Sequence, residues 1–260
     1  MMRSRYVLPL VSAMLAGAAM LAPSQAHAQQ PPAPAPAAGG AAAGGTDHAQ
    51  VSGTFGVGYL GLGGITIAGG LPDAGGNITR RNIDAPIIGV RYWLSESFGI
   101  DAGIGFGIES GKTTDKNAGT TTEVEKPSAT GFLLHAGVPL VLGTPGQHHT
   151  FQVVPELNVG FGSSTIKFPS PPGGTAPPDL TLGGFRLDIG ARAGTEIQFG
   201  FMGLPKLALQ ATVGIYFTTT NASAKQDQRE FTDSNTRIGT TVQAPPWAIF
   251  TNNISALYYF

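Results

Sequence analysis

The 260-residue chain contains no cysteine. Structural disulfides, thiolate metal sites and a lipid-modified cysteine anchor are therefore excluded. Charge is sparse, at 12% of residues, and its signs nearly cancel: 15 basic and 16 acidic residues leave a formal net charge of −1. Such a chain offers no electrostatic footprint for DNA or RNA, and no nucleic-acid partner is expected. Beyond the first thirty residues no run of about twenty apolar residues occurs, which argues against a helical membrane protein. What the chain has in abundance is glycine, with 38 residues, and proline, with 20. That composition is unusual for a soluble globular domain. It fits glycine-rich strands separated by polar turns.

The start has the pattern of an export signal. Arg3 and Arg5 precede a mostly apolar run from Val7 to Leu21, and Ala26-His27-Ala28 is a small-x-small cleavage site. Cleavage between Ala28 and Gln29 makes residues 1–28 a signal peptide. Its removal takes two arginines and no acid, leaving 13 basic against 16 acidic residues, a net charge of −3. Residues 29–50 follow as a tether, nearly pure Pro, Ala and Gly from Pro31 to Gly45. This composition cannot bury a core and is expected to be flexible and partly extended.

The rest of the chain, residues 51–260, alternates. From Phe185 to Phe199 the odd-numbered positions are Phe, Leu, Ile, Ala, Ala, Thr, Ile and Phe, while Arg186, Asp188, Arg192 and Glu196 lie between them. A period of two is the side-chain period of a strand; a helix with this pattern would spread its charges all round. The segment is also long for a soluble strand. Seven more segments share the pattern, giving expected strands at 51–68, 83–95, 98–109, 130–142, 151–167, 185–199, 207–218 and 247–260. Short connections at 96–97, 143–149 and 200–206 alternate with long ones at 69–82, 110–129, 168–180 and 219–246. That rhythm, with apolar residues on one face of every strand, predicts an all-β, eight-stranded antiparallel transmembrane β-barrel. Strands in lipid must close into a ring, since an open edge leaves backbone groups unsatisfied.

An eight-stranded barrel has room inside only for side chains. The inward parity places Arg91, Arg186 and Arg192 against Asp101, Glu109, Glu156, Asp188 and Glu196, with His135 as a further partner. These are expected to form a charge network that plugs the lumen, centred on Arg186, Asp188, Arg192 and Glu196. Inward glycines, among them Gly105, Gly107, Gly131, Gly160 and Gly162, are expected to make room for the long charged side chains.

The signal ending, the alternating strands and the last strand, Ile254-Ser255-Ala256-Leu257-Tyr258-Tyr259-Phe260, resemble the small outer-membrane β-barrel proteins of Gram-negative bacteria, of the OmpA/OmpX type. The resemblance covers residues 51–260 as architecture rather than as alignable motifs. It implies that Phe260, with Tyr258, Ala256 and Ile254 at alternate positions before it, forms the signal read by the barrel-assembly machinery. It further implies periplasmic chaperones as partners during biogenesis, outer-membrane lipid and lipopolysaccharide as surroundings, and both termini on the periplasmic side. No peptidoglycan-binding domain is expected after the barrel.

Three function classes arise. The first is a structural or surface-interaction barrel; the second is a narrow pore or conduit for small solutes, as in OmpW-like barrels; the third is a lipid A-modifying enzyme. The plugged lumen favours the first over the second. An enzyme of the third class would present an outward His and Ser near the extracellular rim. Here His135 is inward, while His48, His148 and His149 lie on the turn side, so no catalytic residue is assigned. His148 and His149 lack a third ligand, and no metal or other cofactor is expected. Gly61-Leu62-Gly63-Gly64 is not followed by Lys-Ser/Thr and is no phosphate loop. Arg80 and Arg81 fall at the outer mouth, where lipopolysaccharide phosphates or solvent are their expected partners.

Changing Phe260 to Glu is expected to impair assembly more than export. Cells should accumulate processed, protease-sensitive protein, measured by surface proteolysis and fractionation. Normal surface levels would remove the role given to this residue.

Overall fold

The computed structural model describes residues 45–117, 120–168, 170, 173–242 and 253–260. The expected signal peptide with Ala26, Ala28 and Gln29, residues 29–44 of the tether, and positions 247–252 of the expected last strand lie outside the described residues. One short helix, α1 (Asp47–Val51), precedes ten strands. They are β1 (Phe55–Ala68), β2 (Arg80–Trp93), β3 (Gly99–Asn117), β4 (Thr120–Gly137), β5 (Leu140–Val141), β6 (His149–Ile166), β7 (Leu180–Phe199), β8 (Leu204–Gln226), β9 (Arg229–Thr240) and β10 (Ile254–Tyr259). Every pairing is antiparallel. A ring of eight strands closes in the order β1-β2-β3-β4-β6-β7-β8-β10 and back to β1.

The alternation is observed as expected. Ile88, Ile104, Phe106, Ile189, Val213 and Ile215 point outward and are each more than half exposed, while Arg91, Asp101, Glu156, Asp188, Arg192 and Glu196 are buried on the inner faces. The strand ends differ from the expected ones. Segment 110–129 is largely a ladder, from Gly111↔Lys126 to Asn117↔Thr120, as its threonine-rich sequence favours. Segment 219–246 is likewise mostly sheet: β8 runs on to Gln226, turns at Asp227, whose φ is 53°, and returns as β9. A two-residue turn with positive φ is the tight hairpin geometry. β9 and β10 both lie along β8. Between their ladders, Thr241 N–H donates to Gly214 O and Thr212 N–H to Asn253 O. The eighth position of the ring is therefore shared by two strands, and begins at Arg229 rather than at residue 247.

The expected start of the first strand is also corrected. Asp47–Val51 is helical, capped by Thr46 Oγ1, which accepts from Ala49 N–H. The helix closes the turn end. Val51 and His48 are fully buried, and the His48 ring meets Trp93 edge-on at 4.5 Å. Asp47 accepts from Gly200 N–H and pairs with His148 Nδ1 at 2.7 Å. His148 is thus a docking residue for the helix rather than part of a solvated turn.

The largest departure lies in β1. The ladder to β2 slips between Tyr59 and Gly61, leaving Leu60 as a bulge, and Gly61 has φ 145°. That conformation favours glycine, and a bulge bends its strand. Below the bulge β1 pairs with β10; above it β1 pairs with β2 alone. β2 in turn leaves β3 above Ile87↔Gly105. The upper half of the β1–β2 hairpin then lies inside the ring, across the inner faces of β3, β4, β6 and β7. A Cβ at Gly131, Gly160 or Gly162 would meet Ile65; one at Gly107 would meet the Asp84 carbonyl, and one at Gly184 the Thr66 carbonyl. Ile65, Ile67, Ile83 and Ala85 are fully buried there. Most inward glycines therefore make room for a strand pair and its apolar side chains, not for charged ones. Gly214 is an exception, since a Cβ there would meet the Arg192 side chain.

Filling one of these glycines should force the hairpin out of place. Gly162→Val is expected to cost about 1–3 kcal/mol through overpacking, and adding Ile67→Ala should recover part of it. Denaturant midpoints of the refolded protein measure both. Equal midpoints for wild type and Gly162→Val would refute the packing described.

Candidate functional site

The inner face carries three layers, each set by parity on neighbouring strands. The layer nearest the turn end is centred on Arg91. Its Nε and Nη2 donate to the two carboxylate oxygens of Asp101, each at 2.7 Å, and its Nη1 donates to Glu196 Oε2 at 2.5 Å. Register brings Arg91 directly opposite Asp101 on β3, while Glu196 reaches it from β7 across the ring. Glu196 also accepts from Gln152, Gln198 and the Tyr259 hydroxyl, and Tyr259 accepts from Trp93 Nε1. Gln210 bridges Arg91 and Gln152. One cation faces two carboxylates, and amide and hydroxyl donors serve the surplus acceptor sites, as buried charge requires. The side chains of Arg91, Asp101 and Glu196 have no exposed surface.

The middle layer holds Arg192, whose Nε lies 2.6 Å from Glu156 Oε1, and His135, whose Nδ1 lies 2.8 Å from Asn158 Oδ1. His135 Nε2 and Glu156 Oε2 are 3.9 Å apart, and neither has a hydrogen-bond partner in the protein. Above them Arg186 Nε donates to Asp188, which also accepts from Thr218 Oγ1 at 2.6 Å. Both arginines serve β1 where it has lost its strand neighbour. Arg192 Nη1 donates to Leu60 O and Arg186 Nη1 donates to Gly64 O. An unpaired backbone carbonyl inside the ring would otherwise be costly.

The expected single network is thus three separate groups. Arg186 with Asp188, and Arg192 with Glu156, stand apart from Arg91 with Asp101 and Glu196; Arg192 and Glu196, expected in one centre, have different partners. Glu109 belongs to none of the three. It pairs with Arg81 at 2.6 Å, more than a third exposed, where β3 has risen past the buried interior. Arg80 pairs with Asp233 of β9 and donates to Thr220 of β8. The two arginines therefore tie the loop end of the hairpin to opposite walls instead of standing free at the mouth. Ile254, Ala256, Tyr258 and Phe260 share the outward face of the last strand, and the Tyr258 and Phe260 rings meet edge-on at 5.3 Å.

Sequence reasoning missed Trp93, Gln152, Gln198, Gln210 and Tyr259. All five have inward parity on strands already recognised, so counting polar and aromatic residues along with charges would have found them. It also missed the cavity between the middle groups and β1. This space of about 560 Å³ is lined by His135, Glu156, Asn158, Arg186, Asp188, Arg192, Tyr216 and Thr218, by the glycine-rich edge of β1, and by Arg237–Val242 of β9 and its continuation. No protein family, curated protein or solved structure matches the chain.

Arg91→Ala strands two buried carboxylates and is expected to destabilise the protein by about 3–5 kcal/mol. Arg186→Ala, at a site one-fifth exposed with a single carboxylate, should cost less. Unfolding followed by the fluorescence of Trp93, which contacts the Arg91 layer, ranks the two. The reverse order would contradict this account.

Proposed function

We propose that the mature chain is an integral outer-membrane β-barrel of eight strands with a sealed lumen and a structural or surface-interaction role. The observation that carries the reading is the Arg91–Asp101–Glu196 layer, whose side chains have no exposed surface and which supports a closed lumen at the turn end. The tucked hairpin adds apolar packing nearer the loop end, and α1 covers the turn end. Membrane insertion is supported by the outward apolar band around the ring, an exposed hydrophobic surface far beyond what a soluble monomer tolerates. The long ladders of β3–β4 and β8–β9 continue past that band and supply the surface for a loop-side partner or for lipopolysaccharide. In this orientation the turn end faces the periplasm, where the assembly machinery and chaperones act.

A narrow conduit is the second reading, favoured by the interior cavity. An axial route would have to break the Arg91 layer, so the sealed barrel is preferred. A lipid A-modifying enzyme has less support, because His48 and His135 are buried, His148 is engaged by Asp47, and exposed His149 lies at the turn end, away from the loop-side rim.

The mature protein should fractionate with outer membranes and give no steady nanosiemens conductance in a planar bilayer. Steady conductance by the wild type would overturn the seal, and recovery as a folded soluble periplasmic monomer would overturn the membrane reading.

A further inference from the structure

The interior cavity has a donor–acceptor pattern that selects a chemical class. The His135 Nδ1 contact with Asn158 Oδ1 requires the proton on Nδ1, because the amide oxygen only accepts. His135 Nε2 faces the cavity beside Glu156 Oε2, 3.9 Å away. Both side chains are at least 98% buried, and both atoms lack a protein partner. The carboxylate oxygen accepts, so a group that meets it brings a donor, which disfavours a simple anion. A cation is disfavoured by the charge of the lining, where Arg186, Arg192 and Arg237 outnumber Glu156 and Asp188. Hydroxyl groups, which both donate and accept, suit the pair of Glu156 Oε2 and His135 Nε2.

The rest of the wall suits such a molecule. Asn82, Asn158 and Thr218 offer both donors and acceptors, and the ring of half-buried Tyr216 offers an apolar face for C–H groups. Gly61, Gly63 and Gly64 keep the β1 side low. The volume is within the range of small-ligand pockets, about 300–1,000 Å³. The cavity also reaches the exposed residues Arg237 and Ile238 of β9, while the Arg91 layer lies beneath it.

We propose that this cavity binds a sugar, with adjacent hydroxyls hydrogen-bonded to Glu156 Oε2 and His135 Nε2 and the sugar's C–H face against Tyr216. The ligand is either a free saccharide or the sugar headgroup of a membrane glycolipid. The site deepens the surface-interaction role but rests on the cavity alone, not on membrane insertion.

The refolded mature protein in detergent micelles is titrated calorimetrically with glucose, galactose, N-acetylglucosamine and their disaccharides. Lipid-free core oligosaccharide, intact lipopolysaccharide, inorganic phosphate and spermidine complete the panel. Saturable binding of a saccharide is expected, weakened at least tenfold by Tyr216→Ala and by Glu156→Gln. Trp93 fluorescence and heat-dependent gel mobility establish that each variant is folded. If Glu156→Gln does not fold, Tyr216→Ala decides. Binding of intact lipopolysaccharide alone, lost in Tyr216→Ala, identifies the headgroup as the source. No saturable saccharide binding, binding unchanged in Tyr216→Ala, or binding of phosphate or spermidine alone would overturn the proposal. A conducting wild type would remove the seal and leave this site standing; a non-conducting protein that binds no sugar would do the reverse.

Discussion

The inward faces of β3, β4, β6 and β7 are too bare to fill their own interior. Gly105, Gly107, Gly131, Gly160, Gly162 and Gly184 remove the side chains that would normally pack there. Such a ring has to take in other chain or hold water. The β1–β2 hairpin supplies that chain, and its isoleucines bury themselves against the glycines. Each glycine pays twice in conformational entropy and lost side-chain contact, so the close approach of a second backbone layer is what accounts for their number and for their inward parity.

Tucking the hairpin creates a second problem, which other residues solve. A strand that leaves its neighbours exposes N–H and C=O groups along its edge. The free edge of β1 meets Arg186, Arg192 and Ser255, whose side chains donate to the Gly64 and Leu60 carbonyls. The loop end of the hairpin is held by Arg80 on one side and Arg81 on the other. These outer ion pairs are partly exposed, and exposed pairs contribute little individually. The arginines inside the ring matter more, because they replace backbone ladder bonds where water is scarce. Their carboxylate partners, Asp188 and Glu156, hold the guanidinium groups in place for that role.

Most of the ring was legible in the sequence because alternation survives any change in strand length. Outward Ile88, Ile104 and Ile215 and inward Arg91, Asp101 and Glu196 follow from parity alone. Ladder extensions into the expected loops were less legible. The segment 110–117 carries no large apolar residue on either face, and the inner face of 219–226 is only Thr220, Ala222 and Ala224, buried but small, so period-two hydropathy is weak in both. The inward turn of β1 was the least legible. It depends on one bulge at Leu60 and one positive φ at Gly61, and past a bulge the parity of the strand reverses. Ile65 and Ile67, odd-numbered like outward Phe55 and Val57, consequently end up inside. The composition held a hint, since Gly61, Gly63 and Gly64 are more glycine than a regular strand needs.

The candidate site was only half legible for a related reason. Parity places a charge inside the ring but does not choose its partner, because distances across the interior depend on what else occupies it. The hairpin fills the space beside Arg186 and Arg192 and turns both toward β1, leaving Arg91 as the cation available to Glu196. The interior therefore separates into the Arg91 layer, in which all three guanidinium nitrogens donate, and a cavity layer, in which Glu156 Oε2 and His135 Nε2 each lack a protein partner. Among the described residues, β10 pairs β1 and β8 at once at the turn end. The cavity sits where β1 has lost one of its neighbours. The buried Glu156 Oε2 and His135 Nε2, each without a protein partner, therefore lie beside the stretch of β1 above the register that pairs with β10, where local opening is expected to be easier than at the doubly paired turn end.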